Sequence, residues 1–318
     1  MSAPVMVGAG DMAGTAAMLR VVDALGEMFA DLAAGRTTSP ARTVLEHGDG
    51  RVLLVSPALW ERRGVGSVKV TTLTPDNPAR GLPLIHGIVA LTDLTTGRIT
   101  ALLDGAELTA VRTGAVTALA TRACTAPDTG ELTVIGAGVQ ARALIRATAA
   151  VRPIRRIRLY SRTKARAERL ADLLGGDFEV TVHDTARDAV TGSPLICTAT
   201  STGGRDSVIE AGWVAPGAHL NVIGGTGPDV LEIDPALFAD GVPIVEDRAV
   251  ALDETGGAGE VRAAVKAGLI TGDDLCELGR LVTGEVGFAG RTTILRTVGM
   301  AIEDTAAAFA LSPSGVVA

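Results

Sequence analysis

The sequence predicts an α/β protein in two parts: a doubly wound parallel sheet, and an α+β unit whose sheet is mostly antiparallel. Three observations carry this expectation. Residues 132–141, Leu-Thr-Val-Ile-Gly-Ala-Gly-Val-Gln-Ala, read as a buried strand, a glycine turn and the start of a helix. After them, short apolar runs alternate with helical patterns as far as residue 246. Before residue 105 the chain instead holds Val- and Thr-rich runs separated by turn signals.

In chain order, Gly8-Ala9-Gly10-Asp11-Met12-Ala13-Gly14 resembles a phosphate loop, but only a short strand at 4–7 precedes it and no second crossover strand follows. Asp11 is expected to cap a helix over 16–34, where Met18, Leu19, Val22, Leu25, Met28, Phe29 and Leu32 fall at helical spacing and Gly35 ends the run. Strands at 44–46 and 51–57 flank the hairpin signal Gly48-Asp49-Gly50. Further strands are expected at 65–73, 84–92 and 98–103, with 74–83 a proline-rich loop. A breaker-poor helix over 106–126 leads into the strand at 132. Strands at 156–161, 178–182, 195–199, 219–223 and 244–246, with helices at 164–174 and 185–190, complete the parallel sheet. The apolar stretch 295–311 is expected as one helix packing back on the first domain or on the domain junction. The boundaries expected are 1–118 plus about 295–318 for one domain and 119–294 for the other.

With 318 residues, 47% hydrophobic and 20% charged, the chain is long enough for two cores. A net charge of −7 and only 3% aromatic residues argue against nucleic acid as a partner. No run of about 20 apolar residues is free of charge, so no membrane span is expected, and no signal peptide is legible at the N-terminus. Cys124, Cys197 and Cys276 lie far apart and read as small buried hydrophobes of a reducing cytoplasm. His47, His86, His183 and His219 lack metal-ligand spacing, and no metal site is expected; His86, just after Gly81-Leu82-Pro83, is placed to edge a pocket.

The central turn is expected to bind a dinucleotide in a Rossmann-type domain. Gly136 permits the tight turn, and Gly138 lets a pyrophosphate approach the backbone. Ala137, Val139 and Gln140 complete the loop and helix N-terminus, whose free N–H groups favour an anion. Thr198, Ala199 and Thr200, at the carboxyl end of a neighbouring strand, are expected beside the same ligand. In an NAD site the second strand usually ends in an acid for the ribose 2′-hydroxyl. Here it ends in Ser161-Arg162-Thr163-Lys164, two hydroxyls and two cations, which suits a 2′-phosphate and favours NADP(H) over NAD(H).

The sequence resembles the ornithine cyclodeaminase/mu-crystallin family over about 35–310. The resemblance rests on Pro40-x-Arg42, Gly66-x-x-Lys69-Val70, Asn77 to Gly81-Leu82-Pro83, Asp104-Gly105, Thr109-x-x-Arg112-Thr113-Gly114-Ala115, Gly136-Ala137-Gly138-x-Gln140-Ala141 and Asn221-x-x-Gly224. It implies that Arg42 and Arg112 bind a substrate carboxylate, that Lys69 stands at the reacting centre, and that Thr113 contacts the cofactor. It also implies a homodimer formed through the first domain's sheet. Bidentate arginine suits a carboxylate, and a lysine beside two arginines should have a lowered pKa.

Two departures matter. The family's Met-Pro-Ala stands here as Ser56-Pro57-Ala58, so the substrate wall differs. Where cyclodeaminases carry an aspartate that serves the substrate amine, this chain reads Gly224-Gly225-Thr226-Gly227-Pro228-Asp229. The hydroxyl of Thr226 cannot take a proton from an ammonium near neutral pH, and Asp229 lies three residues on. Mu-crystallin-like members also lack the aspartate, carry Arg-Thr after the second strand and use NADPH, and they are similar to ketimine reductases. The expectation is an NADPH-dependent reductase of a small imino acid. Three alternatives stay open: a cyclodeaminase using bound NAD, a related amino-acid or opine-type dehydrogenase, and a non-catalytic NADPH-binding protein.

Overall fold

The computed structural model describes residues 3–200, 206–225, 227 and 229–313. It divides into two compact units. The first holds the residues up to Ala115 and those from Gly299; the second runs from Val116 to Val298.

In the first unit, helix α1 (Thr15–Ala33) follows strand β1 (Val5–Val7) and buries Met18, Val21, Val22, Leu25, Met28 and Phe29 on one face. Asp11 does not cap it. The Asp11 carboxylate accepts the Gly8 N–H at 2.9 Å and closes a turn, and the helix starts from Gly14 at φ 94° with no side-chain cap. Strands β2 (Thr37–Thr38), β3 (Thr43–Glu46), β4 (Val52–Trp60), β5 (Val65–Leu73), β6 (Ile85–Asp93) and β7 (Arg98–Asp104) form the rest of one sheet. Its order is β1-β7-β6-β5-β4-β2, with β3 also pairing β4; β1 runs parallel to β7 and every other pair is antiparallel. The β3–β4 hairpin turns at Gly48-Asp49-Gly50, with positive φ at all three residues. The expected loop before β6 holds one 3₁₀ turn, Pro78–Arg80, and Asn77 donates to the Pro83 carbonyl at 2.9 Å.

The strand register decides which side chains share a face. Ser56, Lys69 and Val89 are opposite one another on β4, β5 and β6. That face packs against α9 (Ala301–Leu311), which also packs on α1 and is buried throughout Ile302–Leu311. Trp60 meets Phe309 edge-on at 5.7 Å and donates its indole N–H to Asp31 on α1 at 2.7 Å. Burial pushes the Asp31 carboxyl up, but hydrogen bonds from Trp60, Arg62 and Arg36 outweigh it and hold the group below the usual range.

Helix α2 (Gly105–Cys124) spans the division between the units. The second unit contains α3 (Val139–Val151), α4 (Lys164–Leu174), α5 (Ala186–Val190), α6 (Arg248–Leu252), α7 (Gly259–Lys266) and α8 (Leu278–Val282). Its strands are β8 (Glu131–Ile135), β9 (Arg156–Tyr160), β10 (Glu179–Val182), β11 (Leu195–Thr198), β12 (His219–Val222), β13 (Val242–Val245), β14 (Cys276–Glu277) and β15 (Thr293–Arg296). All pairs are parallel, in the order β10-β9-β8-β11-β12-β15-β13-β14. The strand order reverses between β8 and β11, where a doubly wound sheet opens a crevice at its carboxyl edge. The single helix expected over 295–311 is a strand, a left-handed glycine and a helix. Ile294 and Leu295 are fully buried in β15, and Gly299 at φ 80° breaks the run before α9. A short apolar run satisfies a buried strand as well as a helix, and periodicity alone does not choose.

Polar contacts join the elements of this unit. Asn221 donates to Thr121 on α2 at 2.9 Å, and its Oδ1 lies 3.2 Å from His219 Nε2; Arg152 caps the end of α2 through the Arg122 and Thr125 carbonyls. Cys197 and Cys276 are buried, Cys124 is half-buried, and all three are free thiols. No helix among the described residues is long and apolar enough to cross a membrane.

Burial pushes the His219 imidazole down to about 4. In the unfolded chain it titrates near 6.5, so its contribution is intact above that pH. As pH falls from about 6.5 toward 4 the unfolded state gains a proton that the folded state refuses, and stability drops. Urea midpoints measured across this window should decline with acidification, and less steeply in His219→Asn; equal slopes would refute the assignment.

Candidate active site

The cations singled out in the sequence converge in the first unit on the α9 side of the sheet. Lys69, near the middle of β5, is mostly buried, with its side chain 13% exposed; that of Arg112 on α2 is 11% exposed. Two acids of α9, absent from the sequence expectation, meet them. Asp304 Oδ2 lies 2.6 Å from Lys69 Nζ, and Glu303 Oε2 accepts from Arg112 Nη1 at 2.8 Å. Asp304 Oδ1 is 3.5 Å from Arg112 Nε. Thr109, one helical turn before Arg112, stands 3.4 Å from Lys69 Nζ.

Gly299 gathers the two arginines. Arg42, in the loop before β3, donates to its carbonyl at 3.1 Å. The Arg112 guanidinium lies over its Cα, where a Cβ would stand 2.8 Å from Nη1 and Nη2. Three cations against two carboxylates leave a net positive charge for an incoming anion. Burial pushes the Lys69 pKa down, Asp304 opposes that, and Arg112 adds to it; the balance is below the ordinary lysine value. The signal for the acids was present in the sequence: two carboxylates in an otherwise apolar helix must find cations if that helix is buried.

The glycine turn lies in the second unit, at the β8–α3 junction. Gly136 has φ 120°, and a Cβ there would sit 2.3 Å from the Ala199 carbonyl oxygen. Only glycine lets the β8 and β11 ends approach this closely. Around Gly138 a Cβ would meet nothing within 4 Å, so the space above the turn is open. Val139 is 77% exposed, α3 has no side-chain cap, and Gln140 Oε1 is buried without a partner. Bare backbone and an uncapped helix N-terminus fit a pyrophosphate, whose oxygens accept from free N–H groups; the Gln140 Oε1 is itself an acceptor and adds nothing to that fit.

At the end of β9, Ser161 is half-buried while Arg162 and Thr163 are exposed. Lys164 is paired with Asp184 at 2.5 Å, which leaves Arg162 as the better placed cation of that cluster. Thr113 is buried on α2 beside Arg112. The hydroxyls of Thr198 and Thr200 both donate to the fully buried Glu232, at 2.7 and 2.6 Å. Glu232 also accepts from the Thr200 and Gly224 backbone N–H groups. A Cβ at Gly224 would overlap its carboxyl group. Burial pushes the Glu232 pKa up. Glu260 in turn accepts the Glu232 N–H at 2.6 Å and pairs with Arg296 at 2.8 Å, and Arg296 donates to the Gly225 carbonyl at 2.7 Å. This buried network ties down Thr200, Gly224 and Gly225, just after β11 and β12, and sequence reading did not find it. Thr226 lies outside the described residues. No group of three or more potential metal ligands occurs among the described residues, and the four histidines form no cluster there.

The family model for the ornithine cyclodeaminase/mu-crystallin family matches residues 3–312. The chain belongs to this family. It is 33% identical over 277 residues to the ketimine reductase mu-crystallin of Rattus norvegicus, covering 86% of this chain and 84% of the relative. To a Delta(1)-pyrroline-2-carboxylate reductase of Bacillus cereus it is 32% identical, covering 86% and 85%. The structure of the Delta(1)-pyrroline-2-carboxylate reductase of Thermococcus litoralis, in complex with NADH and L-proline, superposes with a TM-score of 0.88 at 28% identity, covering 98% of both chains.

The two glycines of the turn separate folding from binding. Gly136→Ala should lower thermal stability by several degrees and abolish nucleotide binding, because its Cβ collides with backbone at positive φ. Gly138→Ala should fold with an unchanged melting temperature yet bind a reduced nicotinamide dinucleotide at least about tenfold more weakly, read by nucleotide fluorescence. A Gly138→Ala variant with undiminished affinity would remove the turn from the binding site.

Proposed function

We propose that this protein is an NADPH-dependent reductase of small imino acids, acting on the C=N bond of a substrate that carries a carboxylate. The observation that carries the reading is the buried cluster of Arg112, Lys69, Asp304 and Glu303, with Arg42 reaching the same glycine as Arg112. Relatives named as ketimine and pyrroline-2-carboxylate reductases support it. Arg42 and Arg112 hold the carboxylate, Arg112 pre-oriented by Glu303 and Gly299. Lys69, as an ammonium, hydrogen-bonds the imine nitrogen, polarises the C=N bond and gives that nitrogen a proton. The nicotinamide supplies the hydride to the imine carbon when bound. Gly136, Ala137, Gly138, Val139 and Gln140 cradle its pyrophosphate, and Ser161, Arg162 and Thr163 recognise the 2′-phosphate. Thr198, Ala199 and Thr200 border the cofactor in the second unit, the two hydroxyls held by Glu232; the roles of Thr113 toward the cofactor and of Thr226 toward the substrate rest on the family resemblance. Free cysteines fit a reducing compartment such as the cytoplasm.

The second face of the antiparallel sheet supports a homodimer. Val55, Val70 and Ile88 form one cross-strand row there, and Pro57, Val68, Ala90 and Leu102 form the next. All are half-buried or exposed, a continuous apolar stripe that a second copy would cover.

Purified protein should consume NADPH with five- or six-membered cyclic 2-imino carboxylates, and release no ammonia from ornithine or lysine. Ammonia without net redox change, or tight NADPH binding without turnover, would overturn the proposal. Arg162→Asp should weaken NADPH by about 10- to 100-fold and leave NADH nearly unchanged; retained NADPH affinity would sink the 2′-phosphate assignment. Val70→Asp should convert dimer to monomer by light scattering, whereas a wild-type monomer would discard the interface.

A further inference from the structure

The reaction proposed above needs a protonated Lys69 with one N–H aimed at the substrate, and gives no role to Asp304. That carboxylate is only 2% exposed, and it touches Lys69 Nζ at 2.6 Å. An acid so deeply buried is tolerated because it is paired. The second contact is Thr109 Oγ1, which donates its own proton to the Gly105 carbonyl at 2.7 Å and so faces the lysine with its lone pairs. An ammonium has three N–H bonds. Acceptors fixed on α9 and α2 take two of them, and tetrahedral geometry then sets the direction of the third. The other charged groups facing Lys69 are Arg112 and Glu303, which are paired with each other. Its register partners on the flanking strands, Ser56 and Val89, carry no charge.

We infer that Asp304 is a positioning residue for proton transfer: it keeps Lys69 an ammonium in spite of burial and Arg112, and it orients the remaining N–H. The inference rests on Lys69 being the proton donor. In that step hydride adds to the imine carbon, the C=N π pair moves to nitrogen, and the Lys69 N–H bond breaks as the new N–H bond forms. Lys69 is left as a neutral amine and is recharged from water, while Asp304 neither gains nor loses a proton.

The experiment compares pH profiles of kcat/KM for the wild type, Asp304→Asn and Asp304→Glu. Asparagine keeps the shape and removes the charge, so Lys69 should lose its proton earlier. The basic limb should move to lower pH by about 1–3 pH units, and at a pH above the new limb the rate should fall about tenfold for every pH unit the limb moves. Asp304→Glu should return the limb toward the wild-type position. A lowered kcat with an unmoved limb would mean a structural role only and overturn the inference. The Lys69 Nζ titration by NMR on lysine-labelled protein reads the same charge without turnover, and the lysines to separate are Lys69, Lys164 and Lys266. If Asp304→Asn does not fold, the wild-type titration decides: an ammonium at about pH 7.5 supports the inference, and a neutral amine overturns it. A protein that reduces no imine yet shows the Asp304-dependent change in Lys69 would separate failure of the proposed function from failure of this inference.

Discussion

Two carboxylates and two cations, removed together from water, are the constraint on which the first unit depends. Glu303 and Asp304 are almost fully buried on α9, and Arg112 and Lys69 are nearly so on α2 and β5. Each charge alone would cost several kcal/mol to bury, and only mutual pairing makes the arrangement tolerable. The pairing therefore requires three elements distant in sequence to stay in register: β5, the first turns of α2, and a helix from the far end of the chain. Trp60, Phe309 and Asp31 hold that helix from its other end. The four charges balance, and Arg42, donating to the Gly299 carbonyl beside them, brings the one positive charge in excess.

The second unit is organised by closeness of backbone. Gly136 lets the end of β8 lie against Ala199, and Gly224 makes room for the Glu232 carboxyl group, which collects Thr198, Thr200 and the Gly224 N–H. At Gly136 glycine answers both a packing and a conformational requirement, and at Gly224 a packing one. The loops at the carboxyl edge of the sheet are then held by a buried network running through Glu260 to Arg296 on β15.

Features written in local periodicity are legible in the sequence alone. The α1 stripe, the hairpin at Gly48-Asp49-Gly50, the meander and the strand–glycine–helix at 132–141 all stand where the pattern places them. Asp11 reads as a cap and is not one, because an aspartate near a helix start serves a turn as readily, and only the position of the helix end distinguishes the two. β14 escapes a reading by pattern because a two-residue edge strand carries no period, and β15 because its apolar run continues with Gly299 the only breaker between it and α9, so the two merge into one stretch.

What the sequence by itself determined is the set of local choices: the dinucleotide turn, the absence of an acid after β9, the threonine at position 226, and the identity of Arg42, Lys69 and Arg112. These follow from residue type and short spacing, which act within one turn or one strand. Tertiary structure alone decided that Asp304 faces Lys69, that Glu303 faces Arg112, and that Glu232 gathers the loops after β11 and β12. Those contacts span from 8 residues, for Glu232 and Gly224, to 191, for Arg112 and Glu303, and more for Lys69 and Asp304; pairing of buried charge depends on distance in space, which no local pattern encodes.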